Sequence, residues 1–283
     1  MTMGAIFAGG VRFEARGRFD GTRPLMLLIH GGHGSWRHWV ANLDDLSADW
    51  DLLAPDLPGY GESADPPADA GLPDLAAMLD RALPSIVGGQ RPRFVVGFSF
   101  GTLVATALTE RWQREDRSPD ALILVNPPLG REVSEEVVDI QRRAADLARA
   151  QGLAAGIEMT LRQIMLSDPV RVTDELIQLG TRQARQTRFK SRPISRSIDL
   201  REYLRALSLP RFVILGERDP HQRWRISERV PQYRAMFGED HVLILPGAHW
   251  LQYDRPAEFS AALRQIVGRV QAPQPLRAVG SDR

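Results

Sequence analysis

The pentapeptide Gly97-Phe98-Ser99-Phe100-Gly101 constrains this chain more than any other feature. It follows the apolar run Arg93–Val96 and precedes Thr102-Leu103-Val104-Ala105-Thr106-Ala107-Leu108, so it joins an expected strand to an expected helix. A G-x-S-x-G in that setting reads as a nucleophile elbow, in which flanking glycines let the chain turn sharply and hold the serine hydroxyl exposed at a helix N-terminus. The pentapeptide occurs once. Alone it also fits a glycine-rich turn with an inert serine. The decision therefore rests on whether the rest of the chain supplies a base and an acid for a serine that is a weak nucleophile at neutral pH.

The surrounding pattern is that of an α/β domain. Short apolar, β-branched runs recur at Val11–Ala15, Leu25–Ile29, Asp51–Ala54, Arg93–Val96, Ala121–Val125, Arg211–Leu215 and His241–Leu245. Runs such as Leu25–Ile29 lack polar alternation, which suits strands of a mostly parallel central sheet buried on both faces and flanked by helices. Helices are expected over Ser35–Ser47, Leu72–Val87, Phe100–Trp112, Arg223–Phe237 and Pro256–Val267. Between Asn126 and Pro210 the alternation stops and the pattern is helical throughout. The chain is thus divided into a core, residues 1–126 and 210–268, an inserted helical subdomain, residues 127–209, and a tail, residues 269–283, that carries Pro273 and Pro275 and is expected to be mobile.

Composition excludes several classes of function. Lys+Arg 36 against Asp+Glu 35 gives a net charge of +1, which is no footprint for nucleic acid or an anionic membrane surface, and a small-molecule substrate is expected instead. The absence of cysteine removes thiol nucleophiles and Cys-ligated zinc together. No leader pattern and no run of about 18 apolar residues is present, so a cytoplasmic protein is expected. Oligomeric state is not legible.

Ligands of open parallel sheets gather at the C-terminal edge of the strands, which turns position after a strand into a filter for the site. Of six histidines, His241 begins the last strand and faces the wrong edge, whereas His249 follows it across Leu245-Pro246-Gly247-Ala248. His249 is the expected base. Asp219 follows Arg211–Leu215 and is the expected acid, since the order Ser99, Asp219, His249 is that of α/β-hydrolase triads. Glu217 is held in reserve, and Asp56 is read as a structural turn residue. For an oxyanion, the amide of Phe100 at the helix N-terminus supplies one donor. The loop His30-Gly31-Gly32-His33-Gly34-Ser35 supplies the other, with Gly32 the first choice and His33 the second.

With these residues in view the chain resembles the α/β-hydrolase superfamily with a helical cap. The resemblance is carried by His30-Gly31-Gly32, Asp56-Leu57-Pro58-Gly59-Tyr60-Gly61-Glu62-Ser63, the elbow, Gly216-Glu217-Arg218-Asp219 and Gly247-Ala248-His249-Trp250. It implies a Ser-His-Asp hydrolase that needs neither cofactor nor metal, roofed by the inserted cap. Epoxide hydrolases and haloalkane dehalogenases of the superfamily carry aspartate as nucleophile, and Ser99 argues against both. Meta-cleavage-product hydrolases share the His-Trp pair seen at His249-Trp250 but usually carry Asn where Phe98 stands, so carbon–carbon hydrolysis of a dienone is the runner-up to ester hydrolysis. A ligand-binding protein on the same scaffold is a third reading.

Substrate signals are weaker. Trp250 is a candidate pocket wall beside the base, against simple packing, and His33 is a candidate substrate contact, against a loop histidine bonded to backbone. Between Gly180 and Arg205 stand eight basic residues, Arg182, Arg185, Arg188, Lys190, Arg192, Arg196, Arg201 and Arg205, against Asp199 and Glu202. Arg192, beside Pro193, is the candidate for binding a substrate carboxylate, against a solvated helix face.

Overall fold

The computed structural model describes residues 4–128, 133–222 and 226–272. Among these, one sheet contains β1 (Gly4–Ala8), β2 (Val11–Arg16), β3 (Leu25–Ile29), β4 (Asp51–Pro55), β5 (Phe94–Phe98), β6 (Ala121–Val125), β7 (Arg211–Gly216) and β8 (Val242–Leu245). The order across the sheet is β1-β2-β4-β3-β5-β6-β7-β8. β1 pairs antiparallel with β2 and β2 with β4, while every neighbour from β4 to β8 is parallel. The expected strands are therefore present, with one addition. β1 was not expected, although its hairpin is written in Gly9-Gly10, whose φ angles of 54° and 78° are those a two-residue type I′ turn requires.

Both faces of the sheet are covered, as the unbroken apolar strands require. Leu25, Leu27 and Ile29 of β3 point into one buried cluster with Val95, Leu122 and Val213, while Met26 and Leu28 point into the other with Val96, Ile123 and Phe212. This is the period-two alternation of a strand with apolar contacts on both sides.

The helices are α1 (Leu43–Leu46), α2 (Leu72–Ala82), α3 (Pro84–Val87), α4 (Phe100–Arg114), α5 (Glu135–Gln151), α6 (Leu153–Thr160), α7 (Asp174–Arg185), α8 (Ser191–Ser197), α9 (Leu200–Arg205), α10 (Ile226–Phe237), α11 (Leu251–Asp254) and α12 (Pro256–Gln271). Three expectations are corrected. The helix expected over Ser35–Ser47 is a 3-10 turn, Trp36–Trp39, followed by α1; the two tryptophans bury at the three-residue repeat of that tighter turn. The helix expected over Leu72–Val87 breaks into α2 and α3 at Pro84, which has no N–H to continue the ladder. α12 runs past Val267 to Gln271, anchored by Arg269 on the carbonyl of Asp240, which takes Arg269, Val270 and Gln271 out of the expected tail. Residues 273–283 of that tail, and residues 223–225 of the expected helix before Phe237, lie outside the described residues. No helix of the described residues is long and apolar enough to cross a membrane.

Between β6 and β7 the described residues are helical or irregular, from α5 to α9. Within α5, Val137, Ile140 and Ala144 are buried on one face, as their spacing requires. After β3 the chain builds β4 on one side and then β5 on the other, so β3 and β5 flank the point where the direction of winding reverses. Loops leaving two such strands diverge and open a crevice at the C-terminal edge.

Candidate active site

β5 ends at Phe98 and α4 begins at Phe100, leaving Ser99 alone to make the turn. Ser99 takes φ 49° and ψ −120°, a conformation that L side chains rarely adopt and that carries about 1–3 kcal/mol of strain. The glycines serve a purpose other than the one the sequence suggests. Neither has positive φ; each instead clears space for backbone. A Cβ on Gly97 would lie 2.6 Å from the carbonyl oxygen of Gly101, and one on Gly101 would lie 2.3 Å from that of His30. The elbow is thereby pressed against both its own helix and the loop after β3.

Ser99 Oγ lies 3.0 Å from Nε2 of His249, and Nδ1 of the same ring lies 2.9 Å from Oδ2 of Asp219. The carboxylate accepts only, so Nδ1–H donates to it and the Nε2 lone pair is left to accept the serine proton. Asp219 is fully buried. Burial alone would raise its pKa, but the charge and hydrogen bond of His249, the charge of His221 and the His221 amide, 2.9 Å from Oδ1, hold it below the usual carboxylate value.

Asn126, at the end of β6 with φ 45°, ties the strand ends to this loop. Its Oδ1 accepts from Gly216 N–H at 2.7 Å and its Nδ2 donates to the carbonyl of His249 at 2.8 Å. Asparagine tolerates the left-handed region that this turn demands.

The loop after β3 closes on the elbow from the opposite side. His30 is buried, its Nε2 accepting from Leu57 N–H at 2.8 Å and its Nδ1 donating to the carbonyl of Gly31 at 2.7 Å, so it is a brace for two loops. Gly31 abuts Ser99, and a Cβ on Gly32 would lie 3.7 Å from Cβ of Phe100. The amide of Phe100 is the first of α4 and has no acceptor within its own helix. Gly32 and Phe100 thus stand side by side beside the serine.

All three line a cavity of about 400 Å³ with an aperture to solvent. The core contributes Phe98, His249 and Trp250, and the insertion contributes a largely apolar wall that includes Ala144, Ala148, Ile157, Leu161 and Ile164. Phe98 is buried against His249 and His38, with ring centroids at 5.1 and 5.3 Å. Trp250 is buried, donates Nε1–H to the carbonyl of His38 at 2.8 Å and stacks on Tyr253 at 4.4 Å, so packing accounts for most of its surface. His33 and Arg192 are both on the cavity wall. Desolvation there, and then the charge of Arg192, push the His33 pKa down.

Asp56, Glu217 and His241 have other surroundings. Asp56 is buried and accepts from Trp36 N–H at 2.9 Å and Glu62 N–H at 3.0 Å, as a turn residue does. Glu217 is exposed. His241 accompanies the start of β8, with Nδ1 2.9 Å from the carbonyl of Arg211.

His221 was not singled out by sequence. Its ring centroid lies 4.4 Å from that of His249, and burial, followed by the charge of His249, brings its pKa down to about 4. Asp219, His221 and His249 offer ligand atoms within 4.8 Å of one another. Within this trio His249 Nδ1 and Asp219 Oδ2 are already bonded to each other.

The insertion is tied directly to the loop that carries His249. Its chain makes one π-turn, Leu161–Met165, and the carbonyls of Ile164 and Met165 accept the amides of His249 at 3.2 Å and Trp250 at 2.9 Å. Asp254 adds a second tie, its Oδ2 accepting from Ala248 N–H at 2.8 Å and from Ser167 N–H at 3.2 Å.

The sequence matches the alpha/beta hydrolase family over residues 26–262. The pimeloyl-[acyl-carrier protein] methyl ester esterase of Neisseria meningitidis serogroup B (strain ATCC BAA-335 / MC58) is 27% identical over 253 residues, covering 85% of this chain and 91% of that protein. The lysophosphatidylserine lipase ABHD12 of Danio rerio is 32% identical over 112 residues, and that stretch covers 38% of this chain and only 29% of the lipase. Among solved structures, a thermophilic esterase from Thermogutta terrifontis superimposes with a TM-score of 0.69 at 21% identity, covering 95% of this chain and 99% of the esterase.

Proposed function

The chain belongs to the alpha/beta hydrolase family, and on that premise we propose that it is a serine hydrolase that cleaves a carboxylic ester of a small to medium apolar substrate through an acyl-enzyme on Ser99. The observation that carries this reading is the continuous chain Ser99 Oγ, His249 Nε2, His249 Nδ1, Asp219 Oδ2, with steps of 3.0 and 2.9 Å. His249 takes the Ser99 proton as Oγ attacks the ester carbonyl, and Asp219 orients the ring and stabilises its charged form. The oxyanion is held by the amides of Gly32 and Phe100, each worth roughly 10²–10³ in rate. His249 then gives its proton to the leaving alcohol. Water, activated by the same histidine, attacks the acyl-enzyme and releases the acid. The apolar wall supplied by the insertion, acting as a cap, supports an apolar substrate body.

Esterase relatives are consistent with this bond type, and Phe98 beside the nucleophile gives no support to the carbon–carbon alternative. The test is labelling with a fluorophosphonate, which reacts with activated serines. Wild-type protein is expected to take up one label, blocked in Ser99→Ala. Absence of label between pH 6 and 9 would overturn the reading.

A further inference from the structure

The cavity wall is unbalanced in charge. Arg192, Arg196 and Arg229 all line it, and no aspartate or glutamate among the described residues does. Arg229 is buried and donates to Gln222 Oε1 at 2.7 Å. Arg192 and Arg196 have no carboxylate within ion-pair distance among the described residues, although two other arginines of the same region do: Arg188 pairs with Asp65 and Arg201 with Asp199. The two unpaired arginines stand one turn apart on α8 and remain exposed, which puts them toward the aperture.

Like charges at that spacing repel, and an ordinary surface would relieve them with an acid. Here the relief is absent from the wall itself. The charge of Arg192 is felt by both His33 and His221, which line the same cavity as Ser99 and His249. Position supports the same conclusion. Ser191, the first residue of α8, is so close to Gly32 that a Cβ there would lie 2.8 Å from its hydroxyl. Arg192 therefore starts beside the candidate oxyanion amides, and Arg196 follows about 6 Å further along the helix.

We propose that Arg192 and Arg196 form an anion subsite, and that the ester cleaved at Ser99 carries a carboxylate at the far end of its acyl chain. The ester portion rests on the serine-hydrolase reading; the subsite rests on the arginines alone. A monoester of a dicarboxylic acid meets both demands: its methylene chain lies along the apolar wall and its free carboxylate takes charge-assisted hydrogen bonds from the guanidinium groups.

The test compares mono-p-nitrophenyl adipate with p-nitrophenyl heptanoate, similar in length but neutral. Wild-type kcat/KM is expected to favour the adipate by ~10-fold or more, the gain of a charge-assisted contact. In Arg192→Gln/Arg196→Gln that ratio is expected to fall to within about threefold of one, while Arg185→Gln, on an exposed residue outside the cavity wall, keeps it. Ser99→Ala provides a readout that needs no catalysis: calorimetry is expected to show it binding monomethyl adipate more tightly than methyl heptanoate. Binding of that kind, with no turnover of either ester by the wild type, would sink the ester reading and leave the subsite standing. Turnover or binding that ignores the carboxylate, or a ratio that survives the double substitution, would overturn the subsite. Should the double variant not fold, the wild-type ratio and the Ser99→Ala affinities still decide.

Discussion

Replacing Ser99 by glycine instead of alanine separates the strain of the elbow from the chemistry of its hydroxyl. Both variants lose the hydrogen bond to His249 Nε2, so both are expected to be inactive. They differ in the Cβ that is forced to φ 49° and ψ −120°. A side chain held in such a region carries about 1–3 kcal/mol, and the added freedom of glycine in the unfolded chain takes back about 0.5–1 kcal/mol. Ser99→Gly should therefore be more stable than Ser99→Ala by about 1 kcal/mol. Urea unfolding followed by fluorescence of the six tryptophans measures this. With a slope of about 3 kcal/mol/M, common to both variants, the glycine variant should unfold at a midpoint about 0.3 M higher. Equal midpoints, or a more stable alanine variant, would refute the claim that the turn stores strain at this residue.

Two further outcomes follow from the acid and from the second histidine. Asp219→Asn presents an amide that can donate to Nδ1 and so favours the unproductive tautomer of His249; kcat on a p-nitrophenyl ester should fall by roughly 10⁴ with KM little changed, and a loss under tenfold would remove Asp219 from the mechanism. His221 has a folded pKa of about 4 against an ordinary 6.5, so the unfolded chain binds the proton more readily and stability should drop as pH falls from 6.5 toward 4, by up to about 3 kcal/mol. His221→Gln should flatten that slope in urea midpoints between pH 7 and 4.5; parallel profiles for the two proteins would show that His221 titrates normally.

The site was legible wherever chemistry is fixed by position along a strand. Ser99, Asp219 and His249 each follow a parallel strand, and parallel strands deliver their ends to one edge, so the sequence alone brings three distant residues together. The same rule brings Gly32 and Phe100 beside Ser99. The role of Gly97 and Gly101 is not legible because sequence reports which residue can turn sharply, not which one does; Ser99 takes the turn and the glycines make room. β1 is faint in the sequence in spite of Gly9-Gly10, since five residues with two alanines and one glycine give little apolar alternation. His221, Ser191 and Arg196 were out of reach for a different reason. Their proximity to His249, Gly32 and the cavity depends on how the insertion and the loop after β7 pack, and no local periodicity encodes that.

The carbonyls of Ile164 and Met165 and the carboxylate of Asp254 join the insertion and the loop of His249 into one mechanical piece. Anyone seeking new selectivity by grafting a foreign segment in place of residues 127–209 would sever the acceptors of the His249 and Trp250 amides along with the pocket wall. A transplant that keeps residues 161–167 from the host protects the imidazole's alignment while the remainder of the lining is exchanged, so tolerance to recombination is set by this short stretch and not by the junctions at either end.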